Sequence, residues 1–181
     1  MRGASLPLLV ISLGSACAPS VRPTSPVSPT LGTTPLLLGA LLAIHNRERR
    51  AFGVPPVIWD PAIAAQAAAY ARDLAPLGRL QHAPKALRPG QGENLWMGSR
   101  GGYSFAAMAD AWAGEKRHFR PGRFPAISTT RNWADVGHFT QMIWPSTSRI
   151  GCGVASAGQW DVLVCRYAPA GNVDGVMIPP R

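Results

Sequence analysis

The chain has 181 residues, of which 46% are hydrophobic and 15% are charged. This composition excludes an intrinsically disordered protein, and the length allows one domain with a sizeable core. The formal net charge of +9, carried by sixteen arginines and two lysines, suits an anionic surface such as phospholipid headgroups, a cell-wall polymer or nucleic acid. A basic surface without any particular partner explains the charge equally well.

The first sixteen residues are similar to a signal peptide. Arg2 precedes an apolar stretch over residues 6–13, which is too short to span a bilayer. Three small residues then lead to Cys17, as in the lipobox of bacterial lipoproteins. The resemblance implies cleavage after residue 16, lipidation of Cys17 and a bacterial exported protein anchored in a cell-envelope membrane. A plain secretory signal, which would release the chain as a secreted protein, is the alternative.

Residues 17–35 are predicted to form an extended tether, because they are rich in proline, serine and threonine and almost uncharged. No second change in composition follows along the chain. Residues 36–181 are therefore predicted to be a single domain.

Four helices are predicted within this domain. The first covers residues 36–52, and the second begins with Asp60 as its N-cap and Pro61 in its first turn. The third covers about residues 104–119, and a shorter fourth covers residues 134–144.

A β-hairpin is predicted around the Gly-Gln pair at residues 158–159, which suits a two-residue turn. Counting outward from that turn places Cys152 opposite Cys165, in a pair whose Cβ atoms are close enough for a disulfide. Lipidation of Cys17 would leave these as the two remaining cysteines, in a compartment that permits disulfides. Helices together with an antiparallel sheet predict an α+β domain.

The third predicted helix carries a carboxylate on its apolar face. Glu115 falls within the stripe formed by Phe105, Met108, Trp112 and Phe119. A glutamate is rarely buried without a partner, because removing the ion from water costs several kcal/mol. Glu115 therefore needs a cation, a histidine, a metal or a water-filled cleft. Both a structural ion pair and a functional site satisfy this need.

Histidine is scarce, with four in the whole chain. The spacing of His82 and Glu93 alone favours local hydrogen bonds in loops, since no HExxH-type ligand pair is present in the sequence. His45 and Asn46 are predicted to form structural hydrogen bonds around the first helix. His138 lies at the edge of the apolar face of the fourth helix.

Four ordered segments resemble the motifs of the CAP superfamily, which comprises cysteine-rich secretory proteins, antigen 5 proteins and plant pathogenesis-related class 1 proteins. GHFTQMIWPST at residues 137–147 and VLVCRYAPAGNV at residues 162–173 are similar to its two signature motifs. HNRER at residues 45–49 and GENLW at residues 92–96 are similar to two further motifs. The resemblance implies an α-β-α sandwich with a central antiparallel sheet, the CAP or SCP domain.

The same resemblance implies a site. The family has a cleft lined by two histidines and two acidic residues, and motif by motif these are His82, Glu93, Glu115 and His138. In some relatives the histidines bind zinc or another divalent ion, so His82 and His138 are the implied metal ligands. The family also contains lipid-binding and membrane-binding members.

Three interpretations of function follow. The leading hypothesis is an exported binding module without catalytic activity, anchored through Cys17, whose cleft holds a divalent metal and a lipid or anionic envelope ligand. The alternative is a metal-dependent hydrolase of peptide or peptidoglycan, in which the histidines hold Zn²⁺ and a glutamate acts as general base. In a third interpretation the four residues form a polar network that stabilises the core. Nucleic acid is not expected as a partner, because export separates the chain from it.

Overall fold

A computed structural model of the chain describes residues 34–178; the predicted leader, Cys17 and residues 18–33 of the tether lie outside the described residues. The described part contains four α-helices, which are α1 (Pro35–Ala51), α2 (Pro61–Leu74), α3 (Phe105–Ala113) and α4 (Gly137–Met142). Its strands are β1 (Ile58–Trp59), β2 (Gly92–Ser99), β3 (Gly122–Arg123), β4 (Arg149–Ala157), β5 (Trp160–Ala168) and β6 (Met177–Ile178).

The first two helices each begin at a side-chain cap that is followed by proline. Thr34 Oγ1 accepts a hydrogen bond from the Leu37 N–H at 3.2 Å, and Asp60 accepts from two N–H groups in the first turn of α2. Proline suits this position because its fixed φ is helical and its missing N–H would have no partner there. The predicted starts of both helices are confirmed, with α1 beginning one residue early, at Pro35.

The main sheet has the strand order β1-β4-β5-β2. β4 and β5 form the predicted hairpin, in which Cys152 lies opposite Cys165 with the two Cα atoms 4.1 Å apart, and the predicted disulfide joins them. The predicted antiparallel sheet is confirmed for β2, β5 and β4, and the short β1 adds a parallel edge strand beside β4, so the complete sheet is mixed. β1 has only two residues, which are too few to show an alternating pattern in the sequence. A separate small sheet pairs β3 with β6.

Helices cover both faces of the main sheet, which confirms the α-β-α sandwich. On one face, α2 packs closely through small residues, and a Cβ at Gly151 or Gly153 of β4 would overlap the α2 backbone at Ala64 and Ala68. On the other face, α1, α3 and α4 bury apolar side chains such as Trp112 against the strands. None of the helices within residues 34–178 is both long enough and apolar enough to cross a membrane.

α3 is shorter than predicted. The α-helix ends at Ala113 and residues 114–118 continue as a tighter 3₁₀ turn, so the prediction that the α-helix continues past this point is wrong. The turn starts with a glycine, which has a low helix propensity. It brings Glu115 to the start of α4. The predicted fourth helix likewise divides into a 3₁₀ turn (Trp133–Val136) and α4.

Removing the disulfide is expected to lower the free energy of unfolding by about 3 kcal/mol, because the bridge restricts the unfolded chain over a sequence separation of 13 residues. The measurement is urea denaturation of the oxidised chain and of the Cys152→Ala plus Cys165→Ala variant. Cys17→Ser is the control and should leave the unfolding midpoint unchanged. A loss smaller than about 1 kcal/mol would show that the bridge contributes little to stability.

Candidate functional site

An open cleft of about 980 Å³ lies beside the ends of β2 and α4. His82, from the loop that follows α2, Glu93 of β2 and His138 of α4 all line it. Glu115 does not line the cleft, but its carboxylate contacts His138 from behind. The structure therefore brings the four predicted residues together as two histidine–carboxylate pairs, with both histidines on the cleft wall.

His82 and Glu93 form the first pair. The His82 Nδ1 atom lies 2.9 Å from Glu93 Oε1, and the Ala83 N–H donates to the same oxygen at 2.9 Å. The Glu93 side chain is 0% exposed, whereas that of His82 is 55% exposed. The Glu93 carboxylate is thus buried and holds His82 in place, whereas the His82 imidazole is accessible to solvent or to a ligand.

Arg166 on β5 compensates the buried charge of Glu93. Its Nε–H donates to Glu93 Oε2 at 3.3 Å, and its guanidinium carbon lies 5.4 Å from the centre of the Tyr70 ring. Burial by itself raises the pKa of Glu93, but the hydrogen bonds from His82 and from the Ala83 N–H, together with Arg166 and Arg88, outweigh it and lower that pKa. Glu93 is therefore ionised at neutral pH.

Glu115 and His138 form the second pair. The His138 Nδ1 atom lies 2.6 Å from Glu115 Oε1, and Glu115 Oε2 accepts the backbone N–H groups of His138 and Phe139 at 3.0 and 3.1 Å. One carboxylate therefore orients the imidazole and also satisfies two of the N–H groups that the start of α4 leaves unpaired. The Trp112 ring stacks against that of His138 at 6.0 Å.

A buried chain of hydrogen bonds supports His138 from below. Asn94 Nδ2 donates to the His138 carbonyl and to the Tyr167 hydroxyl, both at 3.1 Å. The hydroxyl lies 2.9 Å from His45 Nε2, and His45 Nδ1 donates to the Leu41 carbonyl at 2.7 Å. Complete burial lowers the pKa of His45 to about 4, so its imidazole is neutral and Nε2 accepts the hydroxyl proton. His45 has the structural role that the sequence predicts.

Asn46 has a similar structural role. Its side-chain amide donates to the Val57 carbonyl at 3.1 Å and accepts the Val57 N–H at 2.9 Å. The pair fastens α1 to the segment that leads into β1.

Each imidazole in the cleft is oriented through Nδ1 and leaves Nε2 available. A neutral histidine whose Nδ1–H donates to a carboxylate presents a lone pair at Nε2, which is the usual arrangement of a metal-binding histidine. No hydrogen bond to the Nε2 atom of His82 or of His138 is formed by any residue from 34 to 178. Among the same residues, no group of three or more histidine, cysteine, aspartate or glutamate side chains is arranged to hold a metal. The structure therefore shows two oriented imidazoles, each with a carboxylate bonded to its Nδ1 atom.

The sequence prediction did not include Arg166, Asn94 or Tyr167 in the site. Arg166 follows Cys165 in a strand whose residues from Asp161 to Ala168 are all buried. A cation within such a strand indicates a buried carboxylate nearby, since neither charge is stable there alone. In the sequence, the corresponding signal is an arginine placed directly after the apolar run of residues 162–165.

Comparison with known proteins identifies the family. The model of the CAP family, described as the cysteine-rich secretory protein family, matches residues 42–167, which include the two histidine–carboxylate pairs and both disulfide cysteines. The chain belongs to the CAP family. It is 35% identical over 133 residues to a pathogenesis-related protein of the PR-1 type from Sambucus nigra, covering 72% of this chain and 75% of that protein. It is also 35% identical over 134 residues to the Golgi-associated plant pathogenesis-related protein 1 of Homo sapiens, covering 74% and 82%.

Solved structures of CAP proteins agree with the fold. The crystal structure of NaASP2 with Zn²⁺ superposes with a TM-score of 0.69 at 25% identity, covering 83% of this chain and 88% of that one. The crystal structure of Na-ASP-1 superposes with a TM-score of 0.70 at 24% identity, covering 90% of this chain and 46% of that one.

Replacing Glu93 with glutamine is expected to destabilise the chain by about 2–3 kcal/mol at neutral pH, because Arg166 then stays buried without its counter-charge. The pKa of Glu93 is lower in the folded chain than its ordinary value of 4.5, so its stabilisation is present above that pH and is lost as the pH falls through the folded value. The difference between wild type and Glu93→Gln should therefore shrink as the pH falls below 4.5.

Urea denaturation from neutral pH down to about pH 3 measures this difference. Asp73→Asn is the matched control, because Asp73 is exposed and forms no ion pair with any described residue. A gap between wild type and Glu93→Gln that stays constant over the whole range would contradict the expected linkage.

Proposed function

We propose that this CAP protein is an exported binding module whose cleft holds a divalent metal ion, zinc in the first instance, between His82 and His138. The supporting observation is that both imidazoles line one cleft, each with Nδ1 held by a carboxylate and Nε2 left without a partner among the described residues. NaASP2, to which this chain is structurally similar, has been crystallised with Zn²⁺.

Two histidines do not fill the coordination shell of zinc, which usually has four ligands. The remaining positions would be taken by water or by a bound ligand. The bound metal would supply a Lewis-acidic centre, and the chain would supply the two oriented imidazoles. An incomplete protein ligand set suits a module that binds a ligand through its metal.

The cleft wall fits an amphipathic or anionic ligand. Lys85 and Arg88 line it with positive charge against the single exposed carboxylate of Asp174, while Phe124, Trp133 and Val173 contribute apolar surface. We propose a lipid or an anionic envelope component as this ligand, because such molecules combine negative charge with apolar groups.

The contacts of the two glutamates do not favour the alternative of a hydrolase. A general base needs a carboxylate oxygen that reaches a water in the cleft. Glu93 is fully buried and bound by Arg166, and Glu115 accepts three N–H groups of α4 while it lies outside the cleft wall. We therefore propose binding without turnover.

Export and anchoring complete the proposal. The chain is 34% identical over 138 residues to a protein named secreted protein RBT4 from Candida albicans, although the match covers only 35% of that protein. The leader-like residues 1–16 and the lipobox-like Cys17 lie outside the described residues, and their sequence supports export followed by lipidation. The mature domain would then be held at an envelope membrane by the proline-rich tether.

Zinc titration by calorimetry tests the metal site. We expect the metal-stripped chain to bind zinc, the His82→Ala plus His138→Ala variant to lose that binding, and Glu93→Gln or Glu115→Gln to weaken it by about 10- to 100-fold through loss of imidazole orientation. His118→Ala is the matched control, since His118 does not line the cleft and should not affect the titration. Unchanged binding in the double variant would remove both histidines from the site.

Thermal denaturation separates this site from a merely structural polar network. Zinc at about one hundred times its Kd should stabilise the wild type by about 2.7 kcal/mol and leave the double histidine variant unchanged. If the four residues only stabilise the core, the double variant will instead lose the same melting temperature with and without zinc.

Metabolic labelling with an alkyne fatty acid tests the anchor. In a Gram-negative host we expect the wild-type chain to be labelled and to enter the detergent phase, because a diacylated cysteine partitions into membranes. Cys17→Ser should be unlabelled and soluble, whereas Cys152→Ser should still be labelled. An unlabelled wild type with a processed N-terminus would indicate a plain secretory signal.

A further inference from the structure

An apolar surface surrounds Phe124 at one end of the cleft. Four large apolar side chains are exposed there, Trp133 by 44%, Val173 by 48%, Val176 by 39% and Met177 by 50%. We call these four residues, together with Arg120 and Arg123, the Phe124 rim.

Backbone pairing holds the rim together. The Phe124 N–H donates to the Val176 carbonyl at 3.0 Å, and the Gly175 N–H donates to the Phe124 carbonyl at 2.9 Å. Arg123 pairs with Met177 in the small β3–β6 sheet. The Trp133 ring packs edge to face on that of Phe124, with ring centres 5.2 Å apart. These contacts hold the Trp133 ring and the backbone at Val176 and Met177 close to Phe124. Val173 lines the same cleft as Phe124 and Trp133.

Arg120, Arg123 and Trp133 of the rim lie in the segment of the domain with the most one-sided charge. Residues 116–134 contain five basic side chains and no acidic one. Lys116 forms an ion pair with Glu48. The other four basic side chains form no ion pair with a carboxylate among residues 34–178; they are Arg117, Arg120, Arg123 and Arg131. Asp174 is the acidic residue of the facing segment 173–178. With Arg120 and Arg123 against Asp174, the rim keeps a net positive charge, and neither arginine forms an ion pair with a carboxylate among residues 34–178.

We propose that the Phe124 rim docks on the surface of an anionic lipid bilayer. Tryptophan and aliphatic side chains bordered by arginines suit the headgroup region, where the apolar groups enter the acyl boundary and the guanidinium groups contact phosphates. Exposed apolar side chains grouped around one buried residue mark an interaction surface, and arginines without a carboxylate partner among residues 34–178 favour an anionic partner over a neutral one.

The docked orientation has a consequence for the cleft. Trp133 and Val173 belong to the rim and also line the cleft, so docking places that end of the cleft at the headgroups. A lipid ligand would then reach the cleft directly from the bilayer. Docking itself requires no metal and is independent of the proposed zinc site.

Vesicle co-sedimentation tests the docking. The full chain carrying Cys17→Ser, which excludes acylation, is mixed with vesicles of phosphatidylglycerol and phosphatidylcholine in equal parts, or of phosphatidylcholine alone. We expect binding only to the anionic vesicles, unaffected by a metal chelator. Arg120→Glu plus Arg123→Glu should lower the partition coefficient by at least about 30-fold, because each arginine near an anionic surface contributes about fivefold.

Matched variants on the opposite helical layer serve as controls. Arg72→Glu plus Arg79→Glu makes the same change in net charge beside α2, and it should lower binding by much less than the rim variant. Val173→Ser plus Met177→Ser should also weaken binding, and Leu77→Ser plus Leu80→Ser should not. Equal losses in the rim and control pairs would overturn the proposal, because they would indicate a response to net charge or to apolar content alone.

A fluorescent label separates the rim from other membrane contacts. An environment-sensitive dye on Met177→Cys, in the Cys17→Ser chain, should shift to the blue with anionic vesicles, and the same dye on Leu77→Cys should not. A dye at residue 177 that is already shifted without vesicles would overturn the proposal and indicate that another segment of the chain covers the rim. Vesicle binding that is unchanged in the rim variants would overturn the proposal and indicate that the apolar leader binds the membrane. A blue shift with a soluble polyanion but not with vesicles would also overturn it and indicate a polymer partner.

Discussion

A carboxylate that leaves water must be paired, and the cleft is built on two such carboxylates. Glu93 holds His82 and is compensated by Arg166, while Glu115 holds His138 and accepts the first N–H groups of α4. In each pair the carboxylate holds the imidazole through Nδ1; the Glu93 side chain is fully buried, whereas that of Glu115 is 19% exposed. The same contacts that satisfy the two carboxylates therefore leave both Nε2 atoms without a hydrogen-bond partner among the described residues.

The sandwich supplies these partners from distant parts of the chain. Arg166 reaches Glu93 because β5 lies next to β2, with the two residues directly opposite in register. Glu115 reaches α4 because α3 ends early and turns. The close contact of α2 with the glycines of β4 and the disulfide within the hairpin fix the strands that carry this register. The site thus depends on packing that lies outside it.

The cleft and the Phe124 rim have different proposed functions, ligand binding and membrane docking. The cleft contains the polar, oriented groups that would bind the proposed metal and ligand, while the rim contains apolar and cationic groups without specific geometry. Such a separation lets the domain associate with an envelope surface without occupying its ligand site. The proline-rich tether, with its predicted anchor, would keep the rim near that surface.

Local signals in the sequence determined the starts of α1 and α2, the hairpin register and the disulfide, because caps, prolines and a two-residue turn act on neighbouring residues. Ordered motifs also predicted the family and the four residues that the structure brings together as two histidine–carboxylate pairs. The tertiary structure alone decided which carboxylate serves which histidine, the parallel pairing of β1 and the presence of Arg166 beside Glu93. These features join residues that are far apart in the chain. The sequence can indicate that a charged residue within an apolar segment requires a partner, but it does not indicate which residue that partner is.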